Sequence, residues 1–453
     1  NGRYDGTSRF MKDQRWNFFP SFSLGWNVAR ENFWKPLESV VNQFKLRGSW
    51  GELGNQNTSN LYPFYEILPV KSNSGNWLVN GGKTNTADIP SLVSTLLTWE
   101  RVRSFNVGFD FGAFSNRLTG SFDYFVRKTV DMVGPAPQLP LVLGIAPAIV
   151  NNADMKSYGF EIELSWRDRI GEVDYGVKFN LADAQQKVVK YPNTTNAFSD
   201  WYAGKMSGEI WGYTSLGIAK TDEEMKEHLA SLPNGGQNQL GNKWGAGDIM
   251  YADINGDGKV DGGKGTLADP GDQRIIGNST PRYNFGLVLD ASYKGFDVSI
   301  FFQGVGKRDY APIVGTNGAV FWGAVNNIWQ SMAMEEHFDY FRPEGHPMGA
   351  NLNGYYPRPD FTSNKNHQVQ TRYLQDASYI RLKNLQIGYT LPKQWINKLH
   401  INRCRVYVSG DNLWTGTSLA SMFDPETLAA GDWGSGKTYP LSKVISFGLN
   451  VNF

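Results

Sequence analysis

A short acidic, glycine-containing stretch carries the most specific chemical signal in this sequence. It reads Asp253-Ile-Asn-Gly-Asp257-Gly-Lys-Val-Asp261. Oxygen-bearing side chains stand at its first, third, fifth and ninth positions, and a glycine stands at the sixth, where a calcium loop makes its sharp turn. Oxygen ligands at this spacing suit Ca²⁺ better than Zn²⁺, so we predict a structural calcium site. The predicted ligands in this stretch are Asp253, Asn255, Asp257, Lys259 (through its backbone carbonyl) and Asp261.

The twelfth position of the loop departs from the calcium pattern. Lys264 stands there, where a carboxylate is expected to close the cage. The alternative is an acidic, glycine-rich turn that binds no metal.

Two aromatic-rich stretches offer flat apolar surfaces to a ligand. Indole and phenol rings stack on the C–H faces of sugars and equally suit peptide side chains. The alternative is that some of these rings form loop cores or contact a protein partner. The candidate substrate contacts are Trp201, Trp211, Tyr213, Trp322 and Trp329.

The segments around these residues alternate between apolar and polar positions, which is typical of half-buried β-strands. The last nine residues, ISFGLNVNF (445–453), show the period most clearly, with apolar side chains at every odd position. About eleven strands are predicted, over 22–28, 44–50, 105–111, 118–126, 160–166, 175–181, 283–293, 296–302, 385–391, 404–408 and 445–453.

The connections between these strands alternate in length. Short ones lie near 30–40, 113–116, 169–171, 294–295 and 392–401, and long ones cover 52–98, 129–156, 185–280, 305–377 and 412–442. An outer-membrane barrel has this arrangement, with short periplasmic turns and long extracellular loops. Lipid on one side and a wet lumen on the other explain one apolar and one polar strand face. We therefore predict an all-β, antiparallel transmembrane β-barrel; the alternative is a secreted all-β protein whose alternation marks an ordinary core.

Side chains typical of enzymes give no comparable signal. Glu161 and Glu163 lie on one strand face and could be read as the carboxylate pair of a glycoside hydrolase. A strand face that lines a polar lumen explains them more simply. Cys404 has the parity of Val406 and Val408 and is predicted to face lipid. The five histidines lack metal-site spacing and are predicted to lie in solvated loops. We predict that the protein is not an enzyme.

Composition excludes several classes of protein. The 453 residues carry 44 Lys+Arg against 43 Asp+Glu, a formal net charge of +1, which gives no argument for a nucleic-acid partner. No apolar run approaches the roughly 20 residues of a membrane-spanning helix. A single cysteine excludes an intrachain disulfide. The clearest helix start is Thr221-Asp-Glu-Glu224, which has the pattern of a capping box.

Nine stretches spread along the chain share the pattern of one family. They are RYDGTSRF (3–10), NFFPSFSLGWNV (17–28), FKLRGSWGELGNQ (44–56), LTWERVRSFNVGFDFGAFSNRLTGSFDYF (97–125), GDIMYADINGDGKVD (247–261), IIGNSTPRYNFGL (275–287), ASYIRLKNLQIGYTLP (377–392), VYVSGDNLWT (406–415) and DPE (424–426). Together they resemble the SusC/RagA-type TonB-dependent transporters of the Bacteroidetes outer membrane.

This resemblance implies a position in a larger barrel. Family members have a plug and about 22 strands, so residues 1–453 are expected to form the C-terminal half of the barrel. The chain shows no counterpart of the plug or of a signal peptide, and it is expected to begin in an extracellular loop at NGRYDGTSRF. Half a barrel leaves open edges in lipid, so the N-terminal plug and half-barrel are expected on a separate or missing chain. Residues 185–280 and 305–377 are expected to be long extracellular loops.

The resemblance also completes the predicted calcium loop, over 253–272. Family members often continue to a further Asp-Arg pair, and here GGKGTLADPG is inserted before Asp272-Gln-Arg274. Asp272 is therefore expected to close the cage, with Asp269 as the alternative.

The function implied by the resemblance is active import across the outer membrane of a Gram-negative bacterium. The expected substrate is an oligosaccharide or peptide, captured beneath a SusD-like surface lipoprotein and moved with energy from the TonB complex. Membrane lipid is the other expected partner. A passive porin and a surface-adhesion barrel remain the alternatives.

Overall fold

The computed structural model describes residues 1–56, 61–90, 92–136, 140, 142, 144–145, 147–312, 319–323, 334–360, 364–397, 400–428 and 438–453. Its strands are β1 (Gly2–Gly6), β2 (Trp16–Asn27), β3 (Val41–Asn55), β4 (Val70–Lys71), β5 (Leu78–Val79), β6 (Gly82–Lys83), β7 (Thr86–Ala87), β8 (Glu100–Ala113), β9 (Leu118–Gly134), β10 (Val150–Ile170), β11 (Val173–Lys190), β12 (Glu209–Gly212), β13 (Ser215–Ile218), β14 (Ile249–Tyr251), β15 (Arg274–Asn278), β16 (Arg282–Tyr293), β17 (Phe296–Lys307), β18 (Asp309–Tyr310), β19 (Gln375–Asp376), β20 (Tyr379–Thr390), β21 (Arg403–Thr417) and β22 (Val444–Asn452). Its α-helices are α1 (Asp222–Ala230), α2 (Ala319–Trp322) and α3 (Lys393–Ile396).

Twelve strands of the described chain form one antiparallel sheet, which confirms the predicted fold class. Their order is β1-β2-β3-β8-β9-β10-β11-β16-β17-β20-β21-β22. Each strand pairs with the next long strand along the chain, so the sheet is an up-and-down meander. Among the described residues, every helix is too short or too polar to cross a membrane.

The predicted number of strands is one too low, because β1 has no visible alternation. Its five residues carry one large apolar side chain, Tyr4, which stacks on Trp16 of β2 with ring centroids 5.4 Å apart. Residues 2–6 therefore form a strand paired with β2, and the expectation of a loop at NGRYDGTSRF is wrong there. One apolar position is too few for the period-two alternation of a strand to be recognised from sequence.

Several strands extend well beyond their predicted bounds. The alternation predicted a strand over 160–166, whereas β10 has 21 residues. At about 3.3 Å per residue this strand is about 70 Å long, although roughly 10 residues suffice to cross a bilayer. Outside the lipid the outward face no longer needs apolar side chains. The alternation therefore marks only the membrane-spanning part of each strand.

The chain divides into two compact units. The first comprises Asn1–Phe111, Ser121–Phe160 and Ala184–Met206. On its polar strand face, Arg47 donates hydrogen bonds of 2.8–2.9 Å to both Asp110 and Asp123. On the opposite face of β2 the apolar side chains are exposed, as expected for residues that contact lipid; they are Phe22, Leu24 and Trp26.

The second unit comprises Gly112–Gly120, Glu161–Asp183 and Ser207–Phe453. On its polar face Arg405 of β21 donates to Asp297 of β17 and to Gln386 of β20. Its guanidinium lies over Gly388, where any Cβ would collide with it. The glycine on β20 thus lets a charge pair form between the strands on either side of it.

The predicted alternation of short and long connections is confirmed. Within the long ones the structure has small two-stranded sheets, namely β4–β7, β5–β6, β12–β15, β13–β14 and β18–β19. The predicted helix start is also confirmed. Thr221 is the N-cap of α1, and its hydroxyl accepts a 3.1 Å hydrogen bond from the Glu224 N–H.

Candidate functional site

The long connections of the second unit fold around one shared hydrophobic core, which we call the aromatic core. Its members come from all three long connections that follow β11, so these segments pack on one another. The buried members are Tyr213, Leu232, Ile249, Tyr251, Val260, Tyr310, Val320, Phe321, Trp322, Tyr356, Tyr373, Ala377, Leu419, Phe423 and Leu428. Burial raises the pKa of Tyr356 and of Tyr373 above the ordinary value of a tyrosine, because it disfavours the charged phenolate.

The aromatic core accounts for two of the predicted substrate contacts. Trp322 is 1% exposed and Tyr213 is 4% exposed, so their ring faces pack against protein and are closed to a ligand. These two residues therefore belong to the core of the loops, which was the alternative to substrate contact. Trp211 is half-buried on β12, and Trp329 lies outside the described residues.

Trp201 is the predicted contact that the structure leaves most accessible, at 40% exposed. It lies in the first unit, where the backbone of Lys205 and Gly204 pairs with Val188 at the end of β11. The Lys205 ammonium donates to the backbone carbonyls of residues 198–200 at 2.8–3.3 Å. The same ammonium lies 5.7 Å from the Trp201 ring centroid and 5.3 Å from that of Tyr202. The indole is therefore held in a fixed orientation with part of its surface open.

The predicted calcium loop is organised by its own carboxylates. Asp253 accepts hydrogen bonds from the Gly256 and Gly258 N–H groups at 2.7 and 2.8 Å. Asn255 and Asp257 accept from N–H groups two residues further on. Short-range bonds of this kind fold an acidic turn tightly around its first residue.

Asp272, rather than the alternative Asp269, joins the two ends of this loop. Its buried carboxylate accepts from the Ile254 N–H at 2.7 Å and from the Asp261 N–H at 2.8 Å. Asp269 instead forms a local turn with Thr266. Asp272 therefore closes the loop by hydrogen bonds to its backbone, and its role as a calcium ligand stays a prediction.

Lys259 has a position that the sequence analysis did not anticipate. Its ammonium lies 2.5 Å from Asp261 and 3.8 Å from Asp257, so the loop contains a cation of its own. This hydrogen bond lowers the pKa of the Asp261 carboxyl below its usual range. In the described ranges no three carboxylate, imidazole or thiol groups form a metal-ligand cluster. Calcium ligation here would have to include the amide oxygen of Asn255 and backbone carbonyls, which Ca²⁺ accepts.

A buried charged cluster beside the aromatic core was missed by sequence reasoning. Asp248 is fully buried and accepts two hydrogen bonds from Arg358, at 2.7 and 2.6 Å, and one from Lys365 at 2.9 Å. Asn366 and the Gly245 N–H bond the same carboxylate at 2.9 Å. The three side-chain partners lie 110–118 residues after Asp248 in the sequence, and no spacing pattern links them to it.

The remaining sequence predictions have mixed outcomes. Glu161 and Glu163 are exposed on β10, as polarity of that face requires. Cys404 shares the face of Val406 and Val408, but the protein buries its side chain, so the predicted contact with lipid is wrong. The connection that precedes β21 contains α3, whose buried Ile396 belongs to a helix in contact with this strand.

The prediction that all five histidines lie in solvated loops is wrong for two of them. His337 and His367 are buried, His228 and His346 are half-buried, and His400 is exposed. His337 bonds the backbone of Met334 and of α2, so it satisfies main-chain groups in irregular structure.

Comparison with known proteins assigns the family. The family described as TonB dependent receptor-like, beta-barrel, matches residues 1–413. TonB-dependent receptor P3 of Formosa agariphila is 30% identical over the whole chain, which covers 43% of that receptor. TonB-dependent receptor SusC of Bacteroides thetaiotaomicron is 24% identical, and the chain covers 41% of it. The chain thus spans less than half the length of these relatives.

A solved structure described as the RagAB peptide transporter has the same fold. It superposes with a TM-score of 0.72 over 98% of this chain and 44% of the matched chain, at 22% identity. The fold, the family match and the exposed apolar strand faces agree with one another, and they place the sheet in the outer membrane. The chain therefore belongs to the TonB-dependent receptor-like β-barrel family, and its relatives include SusC.

Proposed function

We propose that the whole protein imports oligosaccharides or peptides across the outer membrane with energy from the TonB complex. The observation that carries this proposal is the family match over residues 1–413. The resemblance to SusC/RagA-type transporters implies both substrate classes, and the fold is shared with a structure described as a peptide transporter. A SusD-like surface lipoprotein is the proposed partner. No covalent chemistry is part of this proposal.

The folded long connections favour an importer over a passive pore. A diffusion pore does not need extracellular segments with a core of their own, whereas capture of a large ligand needs a positioned surface. Trp201 is the proposed stacking contact within the described residues, because its ring is oriented by Lys205 and open to solvent.

Uptake by cells that express the whole protein tests this function. Labelled oligosaccharides and peptides are supplied with and without a proton-motive-force uncoupler. We expect uptake that stops with the uncoupler, and a higher half-saturating concentration for Trp201→Ala than for an alanine variant of exposed Tyr439. Uptake that survives the uncoupler would identify a passive porin, and binding without uptake would identify an adhesion protein.

We also propose that loop 253–272 binds Ca²⁺ as a structural ion. The supporting observations are its all-oxygen donor set and the Asp272 carboxylate that joins its ends. The Lys259 ammonium must then leave Asp261, because it competes with the metal for this carboxylate. Calcium and lysine are thus alternative cations for one loop.

Calorimetric titration of chelator-treated protein checks this. We expect one Ca²⁺ per chain, and Lys259→Met is expected to bind about tenfold more tightly, because one nearby positive charge is removed. Asp272→Asn is expected to abolish binding. Exposed Lys264 of the same loop is the matched control, and Lys264→Met should bind like the wild type. Absence of heat for both the wild type and Lys259→Met would leave the metal-free turn as the correct description.

A further inference from the structure

The lipid-facing side of β21 carries unusually small side chains between two strands with large ones. On this face β21 presents Cys404, Val406 and Val408. The register places Ile387 and Tyr389 of β20 opposite the valines on one side. Phe447 and Leu449 of β22 lie opposite them on the other side. The valines therefore form the floor of a trough whose walls are the larger residues.

This trough, defined by Ile387, Tyr389, Val406, Val408, Phe447 and Leu449, is a real concavity. Its volume is about 500 Å³, and Phe296 extends the same wall beyond Tyr389, with ring centroids 4.5 Å apart. Both walls belong to this chain, so neighbouring strands of a complete barrel do not remove it. The trough follows the direction of β21, which is the direction in which a strand crosses the bilayer.

On the opposite, polar face β21 carries large side chains and its two neighbouring strands carry glycines. There Arg405 lies over Gly388, and Tyr407 lies over Gly448, where a Cβ would collide with its ring. The large side chains of β21 thus spread over glycines of both neighbouring strands on the polar face. Next to these two glycines, the small Val406 and Val408 remain for the lipid face, and the trough follows from that division.

We propose that this trough binds one acyl chain of a phospholipid from the periplasmic leaflet. The trough is continuous with the exposed apolar face that the outer-membrane location assigns to lipid. It ends at Cys404, next to the connection 391–402, which is one of the short ones. Short connections of such barrels are periplasmic, so the inner leaflet supplies the chain.

The shape of the trough, rather than its hydrophobicity, keeps this acyl chain bound longer than other membrane lipid. Lipid tails are as apolar as the strand surface, so moving a tail onto a flat face gains little. A tail in the trough contacts protein on three sides, and each close pair of carbon atoms adds a small dispersion attraction. A void there would forfeit those contacts. This inference does not depend on which substrate the protein imports.

Native mass spectrometry of the whole protein, released from detergent after addition of palmitoyl-oleoyl phosphatidylethanolamine, tests the proposal. We expect a retained phospholipid adduct that is lost in Val406→Trp, which fills the trough. Val107→Trp is the matched control, because Val107 of β8 is 44% exposed and Val406 is 42% exposed. That variant should keep the adduct. Val408→Phe is a milder filling variant, and heat-modifiable migration on gels verifies that each variant has formed a barrel.

Each other outcome overturns the assignment. If the trough-filling variants and the control variant retain equal amounts of phospholipid, lipid binds the whole apolar face of the sheet without preference for the trough. Lipid A in place of phospholipid would assign the outer leaflet. A dimer that only the trough variants break would make a second copy of the protein the occupant.

Discussion

Phe321→Ala is expected to loosen the long connections that share the aromatic core while leaving the membrane-spanning sheet intact. The Phe321 side chain is 1% exposed at the centre of the aromatic core. Its ring is surrounded by those of Trp322, Tyr356, Tyr373, Phe423 and Tyr355, with centroids 4.9–6.4 Å away. Truncation of a buried phenylalanine removes these contacts and leaves a cavity, which costs about 3–5 kcal/mol.

Native-state hydrogen exchange measures this loss of local stability. At about 1.4 kcal/mol per tenfold change, the amides of Ile249 and Tyr251 should exchange roughly a hundred- to several-thousandfold faster. Amides of β20 and β21 in the sheet should not change. Phe338→Ala is the control, since Phe338 belongs to the same long connection and is 54% exposed. Equal acceleration by both variants would show that the aromatic core does not hold these segments together.

The sequence pattern predicted the sheet well because lipid imposes a strict rule on it. Each membrane-spanning strand must present apolar side chains at every second position, and eleven of the twelve strands of the described sheet were recognised this way. The rule ends at the membrane surface. This is why the outer parts of β10 and β11 were assigned to loops, and why β1, with Tyr4 as its one large apolar side chain, was missed.

The long connections follow no such rule. Their backbone is irregular, so buried and exposed aromatic residues have the same sequence surroundings. Trp322 in the core and Trp201 at the surface could not be distinguished for this reason. The calcium-loop pattern was more informative because its hydrogen bonds are local. Even there, the contact of Lys259 with Asp261 depends on how the side chain bends back, which residue spacing does not specify.

Asp248→Ala is the second substitution expected to have a large effect, because it removes the nearest carboxylate from a buried cation. The Lys365 ammonium is 1% exposed and lies 2.9 Å from Asp248. Removal of one partner from a buried ion pair costs about 3–5 kcal/mol, since the remaining charge cannot regain its hydration. Lys365 keeps two carbonyl acceptors, Asn242 and Lys243, and the Asp360 carboxylate lies 3.7 Å from its ammonium, farther away than that of Asp248.

The double variant Asp248→Ala/Lys365→Met separates loss of the charge pair from general damage to the packing. Lys365→Met alone leaves Asp248 bonded to Arg358, so it is expected to be milder than Asp248→Ala. The double variant should lose less stability than the sum of the two single losses, because no buried ammonium remains that has lost its nearest carboxylate. The rate of limited proteolysis within residues 209–278 reports the opened population. Glu223→Ala, which removes an exposed carboxylate of α1, is the control and should cleave like the wild type. Strict additivity of the two single losses would show that Asp248 and Lys365 do not stabilise the segment as a pair.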